Sequence, residues 1–167
     1  VPGAPSHPTA ADKIHVAGGV LYLCSHAEIQ RDYTVGQLIE QVLPAIETGQ
    51  FRYYEREDGE PIAFVAWANT TEEGLRKLKR GASLVGPEDW TGGDRLVFVE
   101  LIAPFGHVRD VRDDLAENVF PDGTSGISLR PVYDRTGTLA AVRTLTFRFT
   151  KKTKNTKGEM AHSQGDI

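Results

Sequence analysis

Apolar residues recur along this chain in two periods, and the changes of period mark out its elements. Val35, Leu38, Ile39, Val42, Leu43 and Ile46 follow the i, i+3, i+4, i+7 spacing of one helix face, and Gly49 stands behind them as a stop. FRYYERE (51–57) and PIAFVAWAN (61–69) read as two strands, and Asp58-Gly59 between them is a hairpin signal. Thr70 with Glu73 makes a capping-box pattern ahead of LRKLKR (75–80), which predicts a short basic helix. Trp90–Asp94 reads as a loop, and RLVFVELIAP (95–104) as a strand apolar enough to be central, ended by Pro104. Val108, Val111, Leu115 and Val119 predict a helix stopped by Pro121, and SLRPVYD with TLAAVRTLTFRFT predicts a hairpin around Asp134–Gly137. The apolar stretch Ile14–Cys24 fits either a strand or a buried helical turn.

The order helix, strand, strand, helix, central strand, helix, strand, strand describes an α/β (α+β) domain: a mixed, mostly antiparallel sheet with helices on both faces. No internal repeat is visible. The expected division is a flexible arm over 1–12, one domain over 13–151, and a flexible basic tail over 152–167 carrying three lysines.

A chain of 167 residues, 40% hydrophobic and 25% charged, suits one core. The net charge of −4 gives no broad basic surface, so nucleic acid is not the expected partner. Cys24 is the single cysteine, which excludes an intramolecular disulfide and suits a reducing compartment. The histidines His7, His15, His26, His107 and His162 are scattered, so no metal site is expected. No run approaches the roughly 20 apolar residues of a membrane helix, and no leader pattern opens the chain. The expectation is a cytoplasmic protein without integral membrane contact.

The middle third is the most specific segment. VLPAI (42–46), GQF (49–51), PIAFVAWAN (61–69), EDWTGGDR (88–95) and LIAPFG (101–106) occur in that order, and local physics dictates neither W-x-x-G-D-R nor the I-A-P-F strand ending. Over Leu21–Gly106, about half its length, the chain resembles the toxin-activating lysine acyltransferases, which fatty-acylate internal lysines of RTX protoxins. Beyond Gly106 the likeness fades to a similar element order. The resemblance implies a GNAT-like fold, acyl carrier protein as donor of the acyl thioester, no bound cofactor, a lysine ε-amine as acceptor, and a homodimer. The Q/R-x-x-G-x-G/A loop that grips coenzyme A pyrophosphate is absent, in keeping with a carrier-protein donor.

Two catalytic positions of that family fall on changed residues here. Counted back from VLPAI, the histidine of its S-P-x-H-R motif falls on Gln30, followed by a matching Arg31, which the resemblance makes a substrate-binding candidate. The aspartate ahead of I-A-P-F falls on Glu100. Aspartate to glutamate keeps the carboxylate, whereas histidine to glutamine removes a titratable base.

The chemistry needs such a base. A lysine amine, with a pKa of about 10.4, costs about 4.6 kcal/mol to deprotonate at neutral pH. Glu100, at the end of the central strand, is the candidate base. His26 lies four residues before Gln30 and, on a helix, would share its face. Gln30 itself is a candidate for positioning a carbonyl or water. A lone strand glutamate is otherwise an ordinary salt-bridge partner, and His26 an ordinary surface histidine. Ser25 is a poor nucleophile candidate, because a thioester needs no covalent enzyme intermediate, and Cys24 reads as core.

Trp67 and Asn69 share one strand face and are candidate substrate-binding residues, with packing the default for Trp67. Asp94 and Arg95 are expected to pair. Arg76, Lys77, Lys79 and Arg80 form a basic helix face, either plainly solvated or a dock for an acidic carrier protein. The leading function is transfer of a fatty acyl group from acyl carrier protein to a lysine or ornithine amine of a protein or peptide, such as an RTX protoxin or a ribosomal peptide precursor. A silent relative that binds acyl chains or carrier protein, and a coenzyme A-dependent N-acetyltransferase, are the competing classes.

Overall fold

The computed structural model describes residues 8–151; the expected tail (152–167) and most of the expected arm lie outside them. Residues 10–12, expected within the arm, are helical. Thr9 and Asp12 close a reciprocal capping box, with Thr9 N–H donating to Asp12 Oδ2 at 2.8 Å and Asp12 N–H to Thr9 Oγ1 at 3.2 Å. Helix α1 (Ala10–His26) starts there. It resolves the ambiguity of 14–24: Val16, Val20, Leu23, Cys24 and, just beyond, Ala27 are buried at helical spacing.

The amphipathic stretch 35–46 is two helices, α2 (Val35–Gln41) and α3 (Leu43–Thr48), where one was predicted. Pro44 explains the break: it has no N–H for the Glu40 carbonyl, and its ring crowds that carbonyl. Gly49 caps α3 at φ 71°, a left-handed backbone that only glycine adopts without strain.

The sheet has five strands in sequence order: β1 (Phe51–Glu55), β2 (Pro61–Thr70), β3 (Arg95–Ile102), β4 (Ser125–Tyr133) and β5 (Leu139–Arg148). All neighbours pair antiparallel except β3 and β4, which run parallel. Helix α4 (Glu72–Lys79) follows β2 and is capped by Thr71, whose Oγ1 accepts from Gly74 N–H at 3.1 Å. Thr70, the expected cap, is instead the buried end of β2, paired with Arg95. Trp90, expected in a loop, is buried in helix α5 (Gly86–Thr91). Helix α6 (Val108–Asp114) passes into a π turn, Leu115–Val119, before Pro121.

Both faces of the sheet are covered. On one, Phe64, Ala66 and Ala68 of β2 pack with α1, α3 and Trp90. On the other, Ala63, Val65 and Trp67 pack with Val111 and Leu115. Being apolar on both faces, β2 reads as a continuous apolar run. Tyr54 Oη donates to Asp114 Oδ2 at 2.7 Å, tying β1 to α6. Among the described residues, no helix is long and apolar enough to cross a membrane.

Candidate active site

The central strand carries the site because of a one-residue irregularity. Ala66 pairs with Glu100 and Trp67 with Phe98, so Val99 is an extra residue opposite a single step of β2. Strict alternation would put Glu100 on the face of Leu96 and Phe98. The bulge turns it instead to the face of Ala66 and Ile102, where α1 and the turn after it lie.

Glu100 is buried, 7% exposed, with no ion pair among the described residues. Gln30 Nε2–H donates to its Oε1 at 2.9 Å, and the backbone N–H of Leu101 reaches the same oxygen at 3.1 Å. The Tyr33 hydroxyl lies close enough to this carboxylate to favour its charged form. Burial raises the Glu100 pKa above the ordinary carboxylate value, and Gln30, Leu101 and Tyr33 offset part of that rise. Gln30 and Tyr33 arrive together because Gln30–Asp32 is a 3₁₀ turn closed by Tyr33 N–H to Gln30 C=O at 3.1 Å. Residues three apart eclipse in such a turn.

Beside this cluster the sheet opens. Strands β3 and β4 are paired only at Val97–Ile127 and Phe98–Ser128. Beyond that point a cleft lies between them, walled by Val97, Phe98 and Val99 on one side and Leu129, Pro131 and Tyr133 on the other. Pro131, which cannot donate to a ladder, falls in the part of β4 that no longer pairs with β3. Tyr33, Trp90 and residues of α2 including Gln37 and Glu40 also line it, and the chain after α4 (81–84) rims it.

The other sequence candidates are distributed unevenly. His26 ends α1, exposed, with Nδ1 at 3.0 Å from both Tyr22 O and Ser25 Oγ and its ring 5.4 Å from Phe105. It makes no hydrogen bond to Gln30 or Glu100. Ser25 Oγ donates to Tyr22 O at 2.6 Å. Cys24 is buried, and burial with the nearby Glu100 charge pushes its thiol up to about 11.

Trp67 and Asn69 are not brought to Glu100. Trp67 is on the opposite sheet face, 7% exposed, against Phe98 and Phe120, and Asn69 follows it on that face opposite Leu96. The same bulge that turns Glu100 inward separates them. Arg31 is exposed beside Asp32, next to Gln30 but pointing to solvent. On α4, Arg76 pairs with Glu73 and Lys77 with Asp89, whereas Lys79 and Arg80 are exposed without an ion pair among the described residues. Arg95 pairs with Glu72 at 3.1 Å and more loosely with Asp94 at 3.8 Å. Tyr33 was not among the sequence candidates. The signal for it was its place three residues after Gln30.

Known proteins are similar to this chain in sequence. The profile of the RTX toxin acyltransferase family matches residues 9–144, well past the Leu21–Gly106 segment in which the resemblance is legible by eye. The chain is 41% identical over 116 residues to the lysine-acyltransferase RtxC of Vibrio cholerae, covering 70% of this chain and 76% of that protein. It is 38% identical over 96 residues to the leukotoxin-activating lysine-acyltransferase LtxC of Aggregatibacter actinomycetemcomitans, covering 58% and 56%. It is 36% identical over 93 residues to a protein-lysine myristoyltransferase HlyC of Escherichia coli, covering 56% and 54%. The chain thus spans three quarters of one relative and little more than half of the others. With this sequence and a mostly antiparallel sheet opened between its two parallel strands, the chain belongs to the RTX toxin acyltransferase family and is an acyltransferase.

Proposed function

We propose that this acyltransferase moves a fatty acyl group from acyl carrier protein to a lysine-type side-chain amine of a protein or peptide, with Glu100 as the base. The observation that carries the reading is the buried carboxylate of Glu100, without an ion pair among the described residues and held by Gln30 at 2.9 Å beside the opening between β3 and β4. A carboxylate with a raised pKa is a stronger base than one in water, which suits removal of an amine proton. Gln30 donates and orients; its amide accepts no proton at neutral pH. The thioester arm lies in the opening, where β3 past Phe98 is paired with β2 on one edge and is not paired with β4 on the other. Its amides take that place as an added strand, and N–H groups there meet the oxyanion as charge develops.

Lys79 and Arg80, exposed just before the rim segment 81–84, receive the acidic surface of the carrier. The acceptor is an RTX protoxin, as the names of the relatives suggest, or a smaller ribosomal peptide bearing Lys or ornithine. The protein works in the cytoplasm, where charged carrier protein is made.

The test is incubation with acyl carrier protein loaded with a fatty acyl chain and a set of lysine peptides, read by mass spectrometry. A peptide gaining one acyl mass with release of free carrier thiol supports the proposal. Tight carrier binding with no mass gain on any peptide would establish the silent alternative, to which Gln30 in place of a titratable histidine points. Transfer from acetyl-coenzyme A without the carrier would establish the third.

A further inference from the structure

Glu100 does not itself line the cleft. Its carboxylate is buried, and the wall nearest to it is made by Val99 and Tyr33. Glu100 is hydrogen-bonded to Gln30 and to the N–H of Leu101, and the Tyr33 hydroxyl is its neighbour. The Gln30 amide carries no exchangeable acid or base at neutral pH, and a backbone N–H carries none. The Cys24 thiol, at about 11, stays protonated and is buried in the core. His26 is turned to Tyr22, Ser25 and Phe105. Tyr33 alone among these both neighbours the carboxylate, one turn after the Gln30 that holds it, and lines the space in which a substrate sits.

We propose that the Tyr33 hydroxyl is a catalytic residue that contacts the attacking amine and relays its proton to Glu100. This rests on the reading of Glu100 as the base. The amine, its ammonium proton given up to water on binding, adds to the thioester carbon, a C–N bond forms, and the carbonyl π pair moves to oxygen. The nitrogen, now cationic, gives a proton to Tyr33 Oη as Tyr33 gives its own to Glu100. The tetrahedral species collapses, the C–S bond breaks and its electron pair leaves on sulfur. The thiolate then takes a proton back through Tyr33 from Glu100, so amide and thiol are formed and the carboxylate is restored. Burial, then the neighbouring carboxylate, raises the Tyr33 pKa far above its ordinary value, so a free phenolate is out of reach. A paired transfer needs none. The relay also accounts for a site that functions with glutamine at position 30, since the proton path does not pass through that residue.

The ionisable groups facing Tyr33 are Glu100 from β3, Cys24 from α1 and Tyr133 from β4. The test compares Tyr33→Phe, Glu100→Gln and the double variant, with myristoylated acyl carrier protein as donor and a lysine peptide acylated by the wild type as acceptor. The expected result is a fall in kcat of about 10²-fold for Tyr33→Phe, with KM for the carrier within threefold, and a double variant no slower than Glu100→Gln alone. Replacing Tyr33 by 3,5-difluorotyrosine should keep activity but bring its alkaline loss to lower pH, because an ionised relay has no proton to give Glu100. A tyrosine that only packs would leave that limb in place. A Tyr33→Phe rate within twofold of wild type, with Glu100→Gln inactive, would overturn the relay and leave Glu100 as the base. A wild-type rate for Glu100→Gln would overturn both.

Discussion

Gln30 Nε2–H donates to Glu100 Oε1 at 2.9 Å, joining two residues separated by seventy positions in the chain. The pair sits where the family resemblance sets a histidine and an aspartate, and each partner has changed. The carboxylate survives with one more methylene. The imidazole is replaced by an amide that can hold that carboxylate but cannot titrate.

With Glu100 as the proposed base, the Gln30 contact should set the acid limb of activity. Burial raises the Glu100 pKa, and Gln30 opposes that rise by favouring the charged form. The carboxylate is the active form, so kcat/KM should rise as pH rises through the Glu100 pKa. Gln30→Ala should shift this limb to higher pH by removing a donor, while leaving the plateau within tenfold. Gln30→His should give an equal or higher plateau. A profile unchanged in Gln30→Ala would mean that the contact does not govern the titrating group.

Adjacent glycines in α1 should respond with opposite signs. A Cβ at Gly18 meets nothing within 4 Å, so Gly18→Ala should stabilise by about 0.5–1 kcal/mol through helix propensity. A Cβ at Gly19 falls 2.0 Å from Tyr53 Oη and 2.5 Å from its Cζ, so Gly19→Ala must displace the ring that packs on α1. A loss of about 1–3 kcal/mol follows, and Tyr53→Leu in the same background should recover part of it. Chemical denaturation of the variants checks both.

On α4, the cations differ in availability. Lys79 and Arg80 are the exposed ones without an ion pair among the described residues, whereas Arg76 and Lys77 are occupied by Glu73 and Asp89. Lys79→Glu with Arg80→Glu should raise KM for acyl carrier protein by about tenfold, with kcat within twofold and the salt dependence of KM reduced. Arg76→Ala should change KM less. Equal effects at Arg76 and Arg80 would mean that the carrier docks elsewhere.

Local chemistry made much of this fold legible. Asp58-Gly59 and Asp134–Gly137 mark both hairpins, and the run at 95–104 announces the central strand. What escaped reading depends on partners distant in sequence. Pro44 splits a pattern whose apolar spacing continues through it, because periodicity does not register a missing N–H. Thr70 and Thr71 are adjacent, and the strand end decides which of them is free to cap. The extra residue at Val99 has no local sequence mark. It places Glu100 toward Gln30, and it leaves Trp67 and Asn69 on the other face, where alternation alone would have grouped them with the carboxylate. Tyr33 was overlooked because the turn that eclipses it with Gln30 is three residues long.

The most direct measurement is single-turnover transfer by Glu100→Gln, with myristoylated acyl carrier protein and an accepted lysine peptide, beside a thermal melt. The folded pKa of Glu100 is raised, so its contribution to stability is full below the unfolded carboxyl pKa and is lost as pH climbs through the folded one. At neutral pH the glutamine variant, which can still accept from Gln30, should therefore melt no lower than wild type. Its transfer rate should fall by about 10²–10⁴-fold. A stable Glu100→Gln protein that transfers the acyl group at the wild-type rate would contradict the account.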